Sequence, residues 1–345
     1  MNLIERLLHE RYDELQLAGA GLARRFETAV LTPHFVTSRH VVALVFSTGD
    51  PRSRVVAKIP RRPGDNEGVD REARMLRRLA ELNGGPVPGV PAVVATVDVE
   101  GQTLLVETTV HGPELVPREV RRDLDRAVAV GAAFIGALPV VAPADDNPDW
   151  YLTAVARPLA ELVALTPMGG EAADLADRTH ALLEPLRTAA LPAVFEHGDM
   201  SHPNLLLDTD GGLQVIDWER ATERGVPGHD LVFFLQYLAE SERSAFTRPE
   251  QCAAFDAAFA APDGWARPAL AAHLRARGVD PALLDALVLT SWARSAATLV
   301  DRLRPGSDEL QAGGEALVSA VRDDRDVVLW RHAVDRAEEQ ARRVA

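Results

Sequence analysis

The sequence predicts an α+β protein of two lobes, a small lobe built on a mixed β-sheet and a larger, mostly helical one. Three observations carry this. Short β-branched runs interleaved with one amphipathic helix fill the first hundred or so residues. Beyond His111-Gly112-Pro113 the chain becomes Ala/Leu/Arg-rich with helical periodicity. Near the middle, two short apolar runs frame a set of Asp and Asn residues, which reads as a hairpin set among helices.

The elements follow in order. An amphipathic helix is expected within residues 1–30, with Leu3, Ile4, Leu7, Leu8 and Leu15 on the side that packs on the small lobe. Strand-like runs surround Arg54-Val55-Val56-Ala57-Lys58-Ile59. Val69, Glu72, Leu76 and Leu79 share one face of a helix from about Val69 to Leu82. Strands are expected at Val93 to Val97 and Thr103 to Val106, separated by a turn at Glu100-Gly101, and the Pro/Gly-rich piece Asn83 to Pro91 is a connection. Helices near Pro281 to Leu303 and Gly314 to Val344 close the large lobe, so the lobes are expected as 1–107 and 108–345. Ala127 to Ala144 is a stretch of eighteen uncharged residues. Its Ala and Gly content and its two prolines, Pro139 and Pro143, favour a buried helix over a membrane span.

The chemistry is concentrated in Glu196-His197-Gly198-Asp199-Met200-Ser201-His202-Pro203-Asn204 and Val215-Ile216-Asp217-Trp218-Glu219. Asn204 follows Asp199 by five residues and Asp217 follows Asn204 by thirteen. Leu205-Leu206-Leu207 and Leu213 to Ile216 flank the Gly-rich turn Asp208-Thr209-Asp210-Gly211-Gly212, so a hairpin would carry Asn204 at its entrance and Asp217 at its exit. Phosphoryl transfer needs this kit: a carboxylate (Asp199) for the acceptor hydroxyl, and an amide oxygen and a second carboxylate (Asn204, Asp217) to hold Mg²⁺ against nucleotide phosphates. Of the 37 basic residues, Lys58 is the one lysine. A compact ammonium on a flexible stem suits the α- and β-phosphates better than a guanidinium does. Glu72, fourteen residues on and facing the body of the protein, can fix it by an ion pair. The alternatives are a surface glutamate among Arg71, Arg74, Arg77 and Arg78, or pairing by Glu67, which precedes the periodic stretch.

These motifs, with Leu104-Leu105-Val106-Glu107-Thr108-Thr109 and Gly228-His229-Asp230-Leu231, resemble the aminoglycoside phosphotransferase and choline kinase-like family of the protein-kinase fold. The resemblance spans most of the chain. It implies that Asp199 is the catalytic carboxylate, that His197 braces the loop and that Asn204 and Asp217 ligate Mg²⁺. Glu219 would stand beside the metal, and Asp230 would accept backbone N–H bonds from the catalytic loop. Backbone groups near Glu107 and Thr109 would receive adenine, with Val106 behind it, and ATP would be the donor, GTP remaining open. The chain departs from the protein-kinase pattern in having no Gly-rich loop before Lys58. In its place stands Phe35-Val36-Thr37-Ser38-Arg39-His40, where Ser38 and backbone N–H groups would approach a phosphate; the same stretch also reads as a plain hairpin turn.

Composition bounds the partners. The 345 residues suffice for two lobes, 47% hydrophobic content is that of a globular protein, and the single Cys252 excludes an intrachain disulfide. No charged leader precedes an apolar segment at Met1, which points to a cytoplasmic protein. A net charge of −14 argues against nucleic acid and suits a cationic small-molecule acceptor. Acidic groups at Asp145-Asp146-Asp149, Glu240-Glu242 and Asp308-Glu309 would line its cleft or simply face solvent. The expected activity is therefore transfer of a nucleotide γ-phosphate to a hydroxyl of a small molecule. A Ser/Thr peptide of a ribosomal-peptide pathway is the alternative acceptor, and a nucleotide-binding scaffold without turnover is a second alternative.

Overall fold

The computed structural model describes residues 2–31, 40–166, 170–260, 262–303 and 315–344. Its contacts divide the chain into two compact units, Met1–Glu114 with Asn204–Thr222, and Leu115–Pro203 with Glu223–Ala345. Ser38 and Arg39, and the acidic pair Asp308-Glu309, lie outside the described residues.

The first unit begins with helix α1 (Leu3–Glu10) and a sheet of five strands: β1 (Phe26–Leu31), β2 (His40–Ser47), β3 (Ser53–Pro60), β4 (Val93–Val99) and β5 (Gln102–Thr108). Their order is β1-β2-β3-β5-β4, with antiparallel neighbours. Helix α2 (Glu67–Asn83) connects β3 to β4 and ends at Gly84, whose φ of 71° closes it in the left-handed conformation. Glu100 and Gly101, at φ of 52° and 84°, make the tight β4–β5 turn.

Alternation along the strands builds two apolar layers. Ala43, Val45, Val55, Ala57, Ile59, Leu104 and Val106 pack with Ile4, Leu7 and Leu8 of α1 on one face. Leu105 packs with Val69 and Ala73 of α2 on the other. Each buried Val, Leu or Ile side chain here contributes about 1.5–3 kcal/mol. The β3–β5 register sets Lys58 opposite Leu105 and Val56 opposite Glu107, so the side chains of Lys58 and Glu107 fall on the α2 face. Helix α1 stops at Glu10 and turns follow it, with Leu15, Leu17 and Leu22 still buried. Leu3, expected on the apolar side, is 48% exposed, because Ile4, Leu7 and Leu8 already complete the i, i+3, i+4 stripe of a two-turn helix.

The second unit contains α3 (Pro117–Arg122), α4 (Leu124–Ala137), α5 (Arg157–Leu165), α6 (Gly170–Leu182) and α7 (Glu184–Arg187). After them come α8 (His229–Arg243), α9 (Arg248–Phe259), α10 (Arg267–Ala276), α11 (Leu284–Ala297), α12 (Val300–Leu303), α13 (Glu315–Arg322) and α14 (Arg325–Val344). Three short strands, β6 (Val140–Ala142), β7 (Ala193–Glu196) and β10 (Thr222–Gly225), form a sheet in the order β10-β7-β6. The uncharged stretch 127–144 is therefore not one helix. It leaves α4 at Ala137 and becomes β6, since Pro139 cannot continue the helical ladder. Among the described residues, no helix is long and apolar enough to cross a membrane. Glu240 has a structural partner: it holds Arg325 at 2.8 Å, and that guanidinium also lies 5.3 and 5.4 Å from the rings of Phe233 and Trp292.

The expected central hairpin is present as β8 (Leu205–Leu207) and β9 (Leu213–Val215), and it belongs to the first unit. Its turn is closed by the Gly212 N–H on Asp208 Oδ1 (2.7 Å). The hairpin docks on the segment after β5: Leu207 N–H donates to Pro113 O (2.9 Å) and His111 N–H to Gln214 Oε1 (3.0 Å). The approach is close enough that a Cβ on Gly112 would stand 1.9 Å from Leu207 O. Gly112→Ala is expected to cost about 2 kcal/mol as backbone is pushed aside, measured as a lower urea midpoint. A midpoint equal to that of the wild type would refute this docking.

Candidate active site

In the first unit the site grows from one ammonium. Lys58, on β3, is buried, and its Nζ lies 2.7 Å from Glu72 Oε1 and 3.0 Å from Glu107 Oε1. The helical periodicity that turns Val69, Leu76 and Leu79 inward also turns Glu72 inward, and it is wholly buried. Glu67 is exposed and pairs with Arg71 at 2.8 Å. Glu72 Oε1 also accepts the Trp218 N–H at 3.0 Å, which joins α2 to the segment following β9. The Asn204 carbonyl accepts from Ile216 N–H (3.0 Å), so the entrance and exit of the hairpin are fastened together. Between Ile216 and Trp218, Asp217 adopts a left-handed φ of 67°, a conformation that Asp tolerates better than most residues and that collects at functional positions. Glu219 Oε2 stands 3.5 Å from His40 Nδ1 and would be 3.0 Å from a Cβ on Gly68, so the first turn of α2 admits only glycine there without movement.

The electrostatics follow from this crowding. Burial alone would neutralise Lys58, but Glu107, Glu72 and Asp217 outweigh it and hold the ammonium well above the ordinary lysine range. Burial, with Glu72 and Asp217 nearby, pushes Glu107 up to about 7 even against Lys58. Burial and then Asp217 push Glu219 up to about 7. Glu72 Oε2 and Glu107 Oε2 are buried without a hydrogen-bond partner. Four acids therefore crowd one ammonium, an excess of negative charge that a cation relieves.

Asn204 and Asp217 supply oxygen donors of the kind that hold a hard divalent ion. Among the described residues, no group of three or more His, Cys, Asp and Glu is placed to hold a metal alone. Val106 points into the core with Val55 and Ala57, Thr109 N–H lies on Arg54 O (3.3 Å), and Glu107 presents its carboxylate to Lys58.

In the second unit the loop carrying Asp199 is held from below. Asp230, at the start of α8, accepts the His197 N–H at Oδ2 (2.7 Å) and the Gly198 N–H at Oδ1 (2.9 Å). His197 Nδ1 accepts the Asp199 N–H (3.1 Å), and Ser201 Oγ donates to Asp199 Oδ1 (3.1 Å). Asp199 itself is half-buried. Glu196, the last residue of β7, takes both arms of the Arg294 guanidinium from α11 at 2.8 Å each, and Oε2 also accepts the Val226 N–H (3.0 Å). Burial raises the Glu196 pKa and Arg294 more than reverses it, so Glu196 stays below the usual range. His229 Nε2 lies 3.7 Å from Glu196 Oε1, but burial holds its ring neutral, with a pKa lowered to about 4. Burial and then Glu196 raise Asp230 to about 7.

Sequence reasoning did not single out Glu196, Arg294 or the Glu107 side chain. Each left a signal, an isolated charge in an otherwise apolar element: Ala193-Val194-Phe195-Glu196, Leu104-Leu105-Val106-Glu107, and a helix whose charged residues are Asp285 and Arg294.

The architecture is that of the protein-kinase-like α+β fold. The sequence model described as the phosphotransferase enzyme family matches residues 42–273, and the chain belongs to that family. Comparison with curated protein sequences finds no significant match. Among solved structures, a choline kinase from Streptococcus pneumoniae is similar at 14% identity, with a TM-score of 0.52 over 98% of this chain and 100% of that one. The GDP complex of an aminoglycoside 2′-phosphotransferase is 15% identical over 95% and 99% of the two chains, with a TM-score of 0.49. An aminoglycoside phosphotransferase from Streptomyces rimosus, in complex with ADP and streptomycin, is 19% identical over 86% and 99%, with a TM-score of 0.45.

Two outcomes are expected of the loop support. Arg294→Leu strands a buried carboxylate and should cost about 3–5 kcal/mol of stability in urea unfolding. Between about pH 6.5 and 4 the unfolded chain takes a proton at His229 and the folded chain refuses it, so this group lowers stability as pH falls. His229→Gln should therefore lose less stability than wild type between pH 7 and 4.5, by about 2 kcal/mol. Parallel pH profiles of the two proteins would refute this.

Proposed function

We propose that the chain is a Mg²⁺-dependent kinase that moves the γ-phosphate of ATP to a hydroxyl of a small, cationic acceptor. The observation that carries it is the buried Lys58–Glu72 pair fastened to Trp218, between Asp217 and Glu219, in a member of a phosphotransferase family. Lys58 would grip the nucleotide's phosphates, with Glu72 setting the direction of its ammonium. Asn204 and Asp217 would hold Mg²⁺, which supplies charge neutralisation of the triphosphate. Asp199 would orient the acceptor hydroxyl and take its proton late, as the acceptor oxygen bonds to the γ-phosphorus and the bond to the β-phosphate oxygen breaks. The transition state is loose, so positioning and electrostatics carry most of the rate. The net charge of −14 supports a cationic acceptor. The complete set of Lys58, Asp199, Asn204 and Asp217 favours turnover over a binding-only scaffold.

The test is nucleotide consumption across aminoglycosides, amino alcohols, nucleosides, sugars and Ser/Thr peptides, with Asp199→Asn and Asp217→Ala as controls. Each control should lower turnover by on the order of a thousandfold, and chelation should abolish it until Mg²⁺ is returned. Near-normal turnover in Asp217→Ala would remove the metal assignment, and turnover confined to peptides would transfer the acceptor class to protein substrates.

A further inference from the structure

We propose that Glu107 is a second anchor of Lys58, a positioning residue that fixes where the ammonium points; the proposal rests on the kinase reading and deepens it. A lysine with a single carboxylate partner keeps the freedom of its four-carbon stem. Lys58 has two partners, Glu72 at 2.7 Å and Glu107 at 3.0 Å, which engage two of its three N–H donors from different elements. Glu72 rides on α2, whereas Glu107 belongs to β5, the strand hydrogen-bonded directly to β3. The β5 anchor is thus tied to the backbone that carries Lys58, and together the two leave one donor with a defined direction.

Glu107 is costly to bury on its own account. It is 2% exposed, its Oε2 has no partner, and Lys58 is already paired by Glu72. A leucine in its place would remove an expensive buried acid but also one of the two carboxylates that keep Lys58 charged, so stability alone does not separate a structural role from an anchoring one. The two roles separate in the reactivity of Lys58 and in nucleotide binding by variants that keep or lose an acceptor at position 107. The presence of one lysine in the chain gives a direct readout, because side-chain amine labelling reports on Lys58 alone.

The experiment compares wild type, Glu107→Leu and Glu107→Gln. It reads the thermal midpoint, the rate of Lys58 modification by an amine-reactive ester followed by peptide mass, and the Kd for ATP with Mg²⁺. Glu107→Leu should label about tenfold faster than wild type at a temperature well below either midpoint, as a lost charge partner lowers the lysine pKa by about one unit. It should also bind ATP about tenfold more weakly than Glu107→Gln, which loses the charge but keeps an acceptor for Nζ. Equal labelling in Glu107→Leu and wild type, or equal ATP binding by the two variants, overturns the proposal. If wild type binds no ATP, the kinase reading falls, and the labelling rates still decide whether Glu107 holds Lys58.

Discussion

Everything in the first unit is arranged around the cost of burying one ammonium. A lysine amine removed from water sheds its proton unless carboxylates come with it, and carboxylates removed from water are themselves costly unless they meet the cation with good geometry. Lys58 meets both conditions by drawing on α2 for Glu72, on β5 for Glu107 and on the chain after β9 for the field of Asp217. The Trp218 amide on Glu72 then fixes that last segment, so helix, sheet and hairpin are tied at one charge. The surrounding apolar layers supply the bulk of the folding energy; the ion pair decides which way the polar groups face.

The second unit solves a related problem with opposite sign. Its buried charges are carboxylates, and each has a rigid partner: both arms of Arg294 for Glu196, and two consecutive backbone amides for Asp230. Amides of the main chain cannot rotate away as side chains can, so the conformation of His197-Gly198-Asp199 is set by α8 before any ligand is considered. The His197 ring on the Asp199 amide adds a third restraint.

Much of this was legible in the sequence, and the parts that were not share a cause. Period 2 and period 3.6 patterns located the strands around Lys58, the face of α2 that carries Glu72 and the hairpin after Asn204, because in each case the pattern is enforced by burial. The 127–144 stretch misled because absence of charge reports neither burial nor conformation: Ala127, Gly131, Ile135 and Leu138 are buried but Val140 is 46% exposed, and only Pro139 marked the change from helix to strand. Glu107 was read by its backbone because it follows three apolar residues in a strand. The β3–β5 register, which turns its side chain toward Lys58, is a long-range pairing that local patterns do not encode. Arg294 and Glu196 lie 98 residues apart, so their union was equally out of reach, although each stood out as a lone charge in an apolar element.

The discontinuity of the first unit carries a consequence for how the protein is made. Its last segment, Asn204–Thr222, is translated after eighty-nine residues of the other unit (Leu115–Pro203) have emerged. Until then the growing chain holds Lys58, Glu72 and Glu107 without Trp218, and the strip around Gly112 without its hairpin. Domains usually fold in the order in which they leave the ribosome. Here the N-terminal body must wait, half-finished, for a strand pair encoded past the midpoint of the chain. A fragment ending at Glu114 would reproduce that waiting state rather than a free-standing domain.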